Sequence, residues 1–189
     1  MSRKAEIFNA ILKILSEKGT SSFSTTEIAK IVGFSQPALY RHFKNKNELI
    51  LFFIEELKHK LEKIIEKANS GKDFFDKLEK LYEAHFDFVE KTKVIPRFVF
   101  SDEIFDKNST EKMEKFKKVC FNYYMREIEN IFKNNGIKKV NSEVCAKLLM
   151  GSFLSYSLKW LLSGMNYSLK DEIPEMMEFW KNYFKGYSN

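Results

Sequence analysis

Thr25-Thr-Glu-Ile-Ala-Lys-Ile-Val-Gly33-Phe-Ser35-Gln-Pro-Ala-Leu-Tyr40-Arg-His-Phe-Lys-Asn-Lys46 reads as two short helices about a tight turn. Ser24 or Thr25 can cap the first helix by accepting a backbone N–H that has no intrahelical partner. Ile28, Ala29 and Val32 give that helix one apolar face, and the small Ala29 lets a second helix cross closely. Gly33 supplies the positive φ that a tight inter-helix turn needs. Ser35 caps the second helix, and Pro37 stands in its first turn, where a missing N–H costs nothing. Leu39 and Phe43 bury one side of a helix of about ten residues. Gln36, Ala38, Tyr40, Arg41 and His42 then point elsewhere, a set with little structural reason to share so short a helix. The pattern is a helix-turn-helix whose outer face has the chemistry of a DNA-reading surface.

Thr25-Thr26-x-Ile28-Ala29-x-x-Val32-Gly33-x-Ser35, then Leu39-Tyr40-x-His42-Phe43 and Lys46-x-Glu48-Leu49, resembles the DNA-binding segment of the TetR family of bacterial transcriptional regulators. The resemblance covers roughly residues 5–55. It implies an all-α protein: a three-helix N-terminal module followed by a helical ligand-binding and dimerisation body, about nine helices in all. The boundaries that follow are 1–46 for the DNA-binding domain and 47–189 for the body, with 47–68 as a linking helix.

The charge distribution agrees with that reading. The net charge of +6 is not spread evenly. Residues 1–46 carry eight basic against three acidic side chains, an excess of five, while the remaining 143 residues carry an excess of one. Concentration around one small module suits a phosphate backbone. Low Gly and Pro content (7 and 3 residues) with abundant Leu, Ile, Lys, Glu and Phe favours helices over a turn-rich β architecture. Cys120 and Cys145 have no metal-binding or redox spacing and read as small buried residues. Ser2-Arg3-Lys4 leads into an amphipathic stretch, so no signal peptide is expected. The most hydrophobic run, Leu148–Leu162, is short for a membrane span and contains Lys159. A soluble, cytoplasmic protein without cofactor, metal or membrane partner is expected.

Periodicity outlines the remaining helices. The first spans about Arg3–Lys18, striped by Ile7, Ile11, Ile14 and Leu15 and ended by Gly19. The linking helix, about Asn47–Ala68, carries Leu49, Phe53, Leu57, Leu61, Ile64 and Ala68 at near-heptad spacing. Further helices are expected over about Lys72–Lys91, from Pro96 to Phe105, from Thr110 to Asn134 before Asn135-Gly136, from Asn141 or Ser142 to Leu162, and over Lys170–Tyr187.

Residue chemistry assigns DNA roles within this frame. Gln36 can pair bidentately with adenine in the major groove, and Arg41 can reach guanine or a phosphate. Pro37 and Ala38 offer apolar contact to thymine methyls. By resemblance the start of the helix reads bases, while Tyr40, His42 and Lys46 match positions that hold phosphates, and Thr25 can donate to another. One member of the family has Arg where this sequence has Thr26 and Trp where it has Arg41, so only the docking mode is inherited. Packing of Tyr40 and His42 against the first helix is the competing reading, and Tyr40 can do both.

In the body, Phe and Tyr abound, and core packing is the default explanation of each. His85, Phe88, Phe98, Phe121, Tyr124 and Phe153 are the candidates for an apolar effector pocket. His85 also fits as a satisfied core histidine, and Arg97 as either an anion contact or a surface arginine. Gly151 and Ser155, with Met177, Trp180 and Phe184, are expected at a homodimer interface built from the last two helices, as the resemblance implies; internal packing of that stripe is the alternative. A dimer suits a palindromic double-stranded operator. Catalysis is not expected: the sequence has no glycine-rich phosphate loop, no paired Cys or His ligands and no nucleophile elbow. Three reading classes remain: a repressor released by a small effector, a DNA-binding protein governed by a protein partner (Ala38–Phe43 is shared with cell-division regulators), and, least favoured, an enzyme.

Overall fold

The stripe Ile7, Ile11, Ile14 and Leu15 buries completely in helix α1 (Arg3–Lys18), with Phe8 and Ala10 beside it. The computed structural model describes residues 3–18, 24–93, 98, 101, 110–134 and 140–186. After α1 come α2 (Thr25–Val32), α3 (Gln36–Tyr40), α4 (Lys46–Asn69) and α5 (Phe74–Thr92). Next are α6 (Thr110–Phe116), a π turn (Lys117–Phe121) and α7 (Asn122–Lys133), then α8 (Ser142–Leu162), a 3₁₀ turn (Leu169–Glu172) and α9 (Ile173–Lys185). The protein is all-α, and the described residues contain no strand. Gly19, Arg97, Asn135, Gly136, Tyr187 and nearly all of the helix expected after Pro96 lie outside the described residues.

Three expectations change. The recognition helix is α-helical over only Gln36–Tyr40, with Arg41 and His42 in the turn that follows. The expected helix from Thr110 is interrupted by five residues of π geometry, a widened turn that periodicity alone does not reveal. Residues 169–172 form a 3₁₀ turn and α9 proper begins at Ile173, because Pro174 belongs in a first helical turn.

The chain divides into two compact units, residues 1–59 with 92–121 and residues 60–91 with 122–189. In the first, Phe8 stacks on Phe53 with ring centroids 5.2 Å apart, and Phe98 meets Phe53 edge-on at 4.8 Å. Lys115 pairs with Glu55 at 3.2 Å, and the Cys120 thiol donates to the Ile54 carbonyl at 3.4 Å, holding the π turn to α4. Burial pushes that thiol's pKa up to about 12, so it remains a protonated, apolar-like group.

The second unit is built around rings. Phe74, Phe132, Trp180 and Phe184 pack together, with Phe74 and Phe184 edge-on at 4.9 Å. Asn141 caps α8 by accepting from the Val144 N–H at 3.1 Å. Glu90 on α5 accepts from Ser168 Oγ at 2.9 Å and the Leu169 N–H at 2.6 Å, which pins the 3₁₀ turn. The orphan donors at the start of that turn thus find a carboxylate.

Candidate nucleic-acid interface

Each end of the helix-turn-helix is set by a local rule already legible in its residues. Ser24 accepts from the Glu27 N–H at 3.2 Å and caps α2. Gly33 adopts φ 75°, a left-handed conformation that lets the Phe34 N–H reach the Ala29 carbonyl at 2.8 Å. Ser35 accepts from the Ala38 N–H at 3.3 Å. Ile28, Ala29 and Leu39 are buried, which fixes α3 against α2 and turns its other side outward. A capping box then starts α4: Asn45 Oδ1 accepts from the Glu48 N–H at 3.0 Å, while the Glu48 carboxylate accepts from the Lys44 N–H at 2.8 Å. Asn45-x-x-Glu48 is the pattern by which the sequence could have shown it.

On the outer face, Thr26, Gln36, Pro37, Tyr40, Arg41 and His42 are exposed, and Thr25, Ala38 and Lys46 are half-buried. Two hydrogen bonds tie the start of α2 to the two ends of α3. Gln36 Nε2 donates to Thr26 Oγ1 at 2.8 Å, and Thr25 Oγ1 shares a hydrogen bond with the Tyr40 hydroxyl at 3.2 Å. These bonds leave Gln36 Oε1 and Arg41 outward. His42 lies parallel to Phe34 with ring centroids 6.2 Å apart, so its ring is packed on one side while its edge meets solvent. The surface thus offers amide, guanidinium, hydroxyl and imidazole groups along one short helix and its turn, the mix that base edges and phosphates require.

Residues 7–51 match the family described as bacterial regulatory proteins, tetR family. The chain thus carries a TetR-family segment. It is 28% identical over 147 residues to the HTH-type transcriptional regulator YvdT of Bacillus subtilis, covering 77% of this chain and 75% of that one. It is 24% identical over 183 residues to the nucleoid occlusion factor SlmA of Aliivibrio fischeri, covering 92% and 91%. Among solved structures, the transcriptional regulator FadR of Bacillus subtilis in complex with stearoyl-CoA superposes with a TM-score of 0.77 at 16% identity, covering 93% of this chain and 96% of that one. The TetR-family relatives are transcriptional regulators rather than enzymes. Among the described residues, no helix is long and apolar enough to cross a membrane.

The six residues expected to line an effector pocket are divided between the two units. His85, Tyr124 and Phe153 meet in the second unit. The His85 and Phe153 rings stack at 3.8 Å, and His85 Nδ1 hydrogen-bonds the Tyr124 hydroxyl at 3.0 Å. Full burial lowers the His85 pKa to about 3 and raises that of Tyr124, so both stay neutral. Phe88 is half-buried on α5. Phe98 belongs to the core of the first unit, and Phe121, at the end of the π turn, is exposed.

The expected dimer residues also part company. Met177, Trp180 and Phe184 are 4%, 2% and 2% exposed, buried within their own chain. Gly151 and Ser155 are exposed. They sit within an apolar strip that sequence reasoning did not isolate: Val144, Leu148, Leu158 and Leu162 are 45%, 52%, 42% and 78% exposed, and Phe179 on α9 is 55% exposed. The spacing 144, 148, 151, 155, 158, 162 alternates four and three residues, a heptad seam along α8.

Proposed function

We propose that this TetR-family protein is a homodimeric repressor that binds a palindromic operator and is released by a small, mostly apolar effector. The reading assigns residues 1–46 to DNA binding and 47–189 to effector binding and dimerisation, with residues 47–68 transmitting between them. Thr25, Tyr40, His42 and Lys46 hold phosphates in it. Gln36, Pro37, Ala38 and Arg41 read bases, and Thr26 holds Gln36. The observation that carries it is the exposed Gln36 and Arg41, on α3 and in the turn after it, with the helix's inner face locked by Leu39. The exposed α8 seam, with Gly151 and Ser155 at its centre, supports the dimer, since one five-residue helix offers too few contacts for useful specificity. The stearoyl-CoA held by a fold neighbour supports an effector with a large apolar part.

A second reading keeps DNA binding and replaces the small molecule with a protein partner. The close packing of His85, Tyr124 and Phe153 favours it, as does the likeness to a nucleoid occlusion factor. Either protein would work in the cytoplasm, on the nucleoid.

Fluorescence anisotropy against DNA from upstream of the protein's own gene tests the main reading. Binding at least about a thousandfold tighter than to scrambled DNA is expected, with a steep loss of affinity as salt rises. Equal binding to both DNAs would remove the specific-regulator reading.

A further inference from the structure

A cavity of about 290 Å³ opens in the second unit, lined by Tyr82, Ser152, Tyr156, Glu175, Phe179 and Trp180, with Leu148 and Met176 completing its wall. Its Tyr82 packs edge-on against Phe153 of the His85 cluster, with ring centroids 5.2 Å apart, and the cavity sits at the small end of ligand-pocket sizes. Its polar wall has an unusual bias. Trp180 Nε1 donates to the Tyr82 hydroxyl at 2.9 Å, and Ser152 Oγ donates to the Leu149 carbonyl at 2.6 Å. With the serine hydrogen so committed, the 3.2 Å bond between Tyr82 and Ser152 takes its hydrogen from Tyr82. Three donors on this wall are therefore spent within the protein, and ring faces and oxygen lone pairs are what remain for a guest.

The charge on the cavity is negative as well. Glu175 makes no ion pair among the described residues. At Tyr156, burial raises the hydroxyl pKa first, and the carboxylates of Glu175 and Glu172 raise it further against the single opposing ammonium of Lys159. That lysine is already paired with Glu172 at 2.8 Å, and it rests 5.7 Å from the centre of the Tyr156 ring, a cation over one of the cavity's own aromatics. Four aromatic rings, one carboxylate without an ion pair among the described residues and no basic side chain in the lining make a site that attracts positive charge and repels anions.

We infer that this cavity binds an organic ammonium ion, its cationic end beside Glu175 and Tyr156 and its apolar part against Tyr82, Phe179 and Trp180. Leu148 and Phe179 also belong to the exposed apolar surface, so the guest lies beside the seam proposed for the second copy and can bias how two copies meet. That regulatory consequence rests on the ligand-responsive reading above; the binding does not.

Calorimetry on the full chain tests it with three probes of similar size: benzyltrimethylammonium, 4-tert-butylbenzyl alcohol and 4-tert-butylbenzoate. The cation is expected to bind about tenfold tighter than the alcohol, with the benzoate weakest. Glu175→Gln, a surface change that leaves the fold intact by circular dichroism, is expected to weaken the cation about tenfold and leave the alcohol unaltered. Equal affinity for cation and alcohol, an unaffected Glu175→Gln variant, or no binding of the cation at millimolar concentration would each overturn the inference. Adding benzyltrimethylammonium to the anisotropy assay separates the two claims. Cation binding without any change in operator affinity keeps the cavity and removes its regulatory role. Operator release by other effectors in a protein that ignores the cation does the reverse.

Discussion

The outer face of α3 and the seam of α8 both expose side chains that a lone protomer has no use for, but of opposite kinds. On α3 and the turn after it the exposed groups are an amide, a hydroxyl, a guanidinium and an imidazole, the first two hydrogen-bonded to Thr26 and Thr25. On α8 they are aliphatic and small, repeating at heptad intervals, with Leu162 78% exposed. A polar surface that has been preorganised asks for a polar partner that pays back desolvation by hydrogen bonding, such as base edges and phosphates. An apolar seam asks for another apolar seam. The difference also separates how each is broken: the first by removing single contacts, the second by charging one face.

The largest effect is expected from the seam. Leu148→Glu combined with Leu158→Glu places two charges on each copy and should leave a folded monomer in analytical ultracentrifugation. Operator affinity should then fall about a thousandfold, the avidity lost when two linked half-sites become one. An unchanged dimer would move the interface elsewhere. Next come the base-reading groups. Gln36→Ala and Arg41→Ala are each expected to lower operator affinity about tenfold or more while leaving scrambled-DNA binding nearly unaltered for Gln36→Ala, as competition assays would show. Equal losses on both DNAs would reassign Gln36 to the backbone.

The interior beneath these surfaces provides a third probe. The His85 pKa is lowered to about 3 by burial, whereas an unfolded histidine titrates near its ordinary 6.5. Between those values the unfolded chain binds a proton that the folded chain refuses. The contribution of His85 to stability is thus fully present above about pH 6.5 and is lost as pH falls toward 3, by at most about 1.4 kcal/mol per pH unit. Denaturant titrations of His85→Gln should show a correspondingly flatter acid limb; an identical pH profile would mean that His85 is not the titrating group. The smallest effect is expected from Tyr40→Phe, which removes the hydroxyl bonded to Thr25. A loss of about threefold, alike for operator and scrambled DNA, is the expected outcome of one phosphate contact removed.

The helix-turn-helix was legible because every one of its signals is local. Ser24, Gly33, Ser35 and Pro37 act on atoms within a few residues, so their identities suffice to place both helices. The body was legible in its helices but less so in its surfaces. The stripe Met177, Trp180 and Phe184 and the seam from Val144 to Leu162 are both apolar at helical spacing, yet one is core and the other solvent-facing. Periodicity reports that a helix has an apolar side; which partner covers it depends on the packing of Phe74, Tyr82 and Phe132 from distant parts of the chain. The same limit hid the π turn at Lys117–Phe121 and the cavity beside Glu175, neither of which has a signature in sequence spacing.

Hydroxyl-radical footprinting on the upstream DNA, run beside the Leu148→Glu/Leu158→Glu protein, tests both surfaces at once. The account predicts two protected patches on one face of the duplex, centred about one helical turn apart or a multiple of it, with the charged variant giving none at the same concentration. A single patch, or an identical footprint from the monomeric variant, would contradict it.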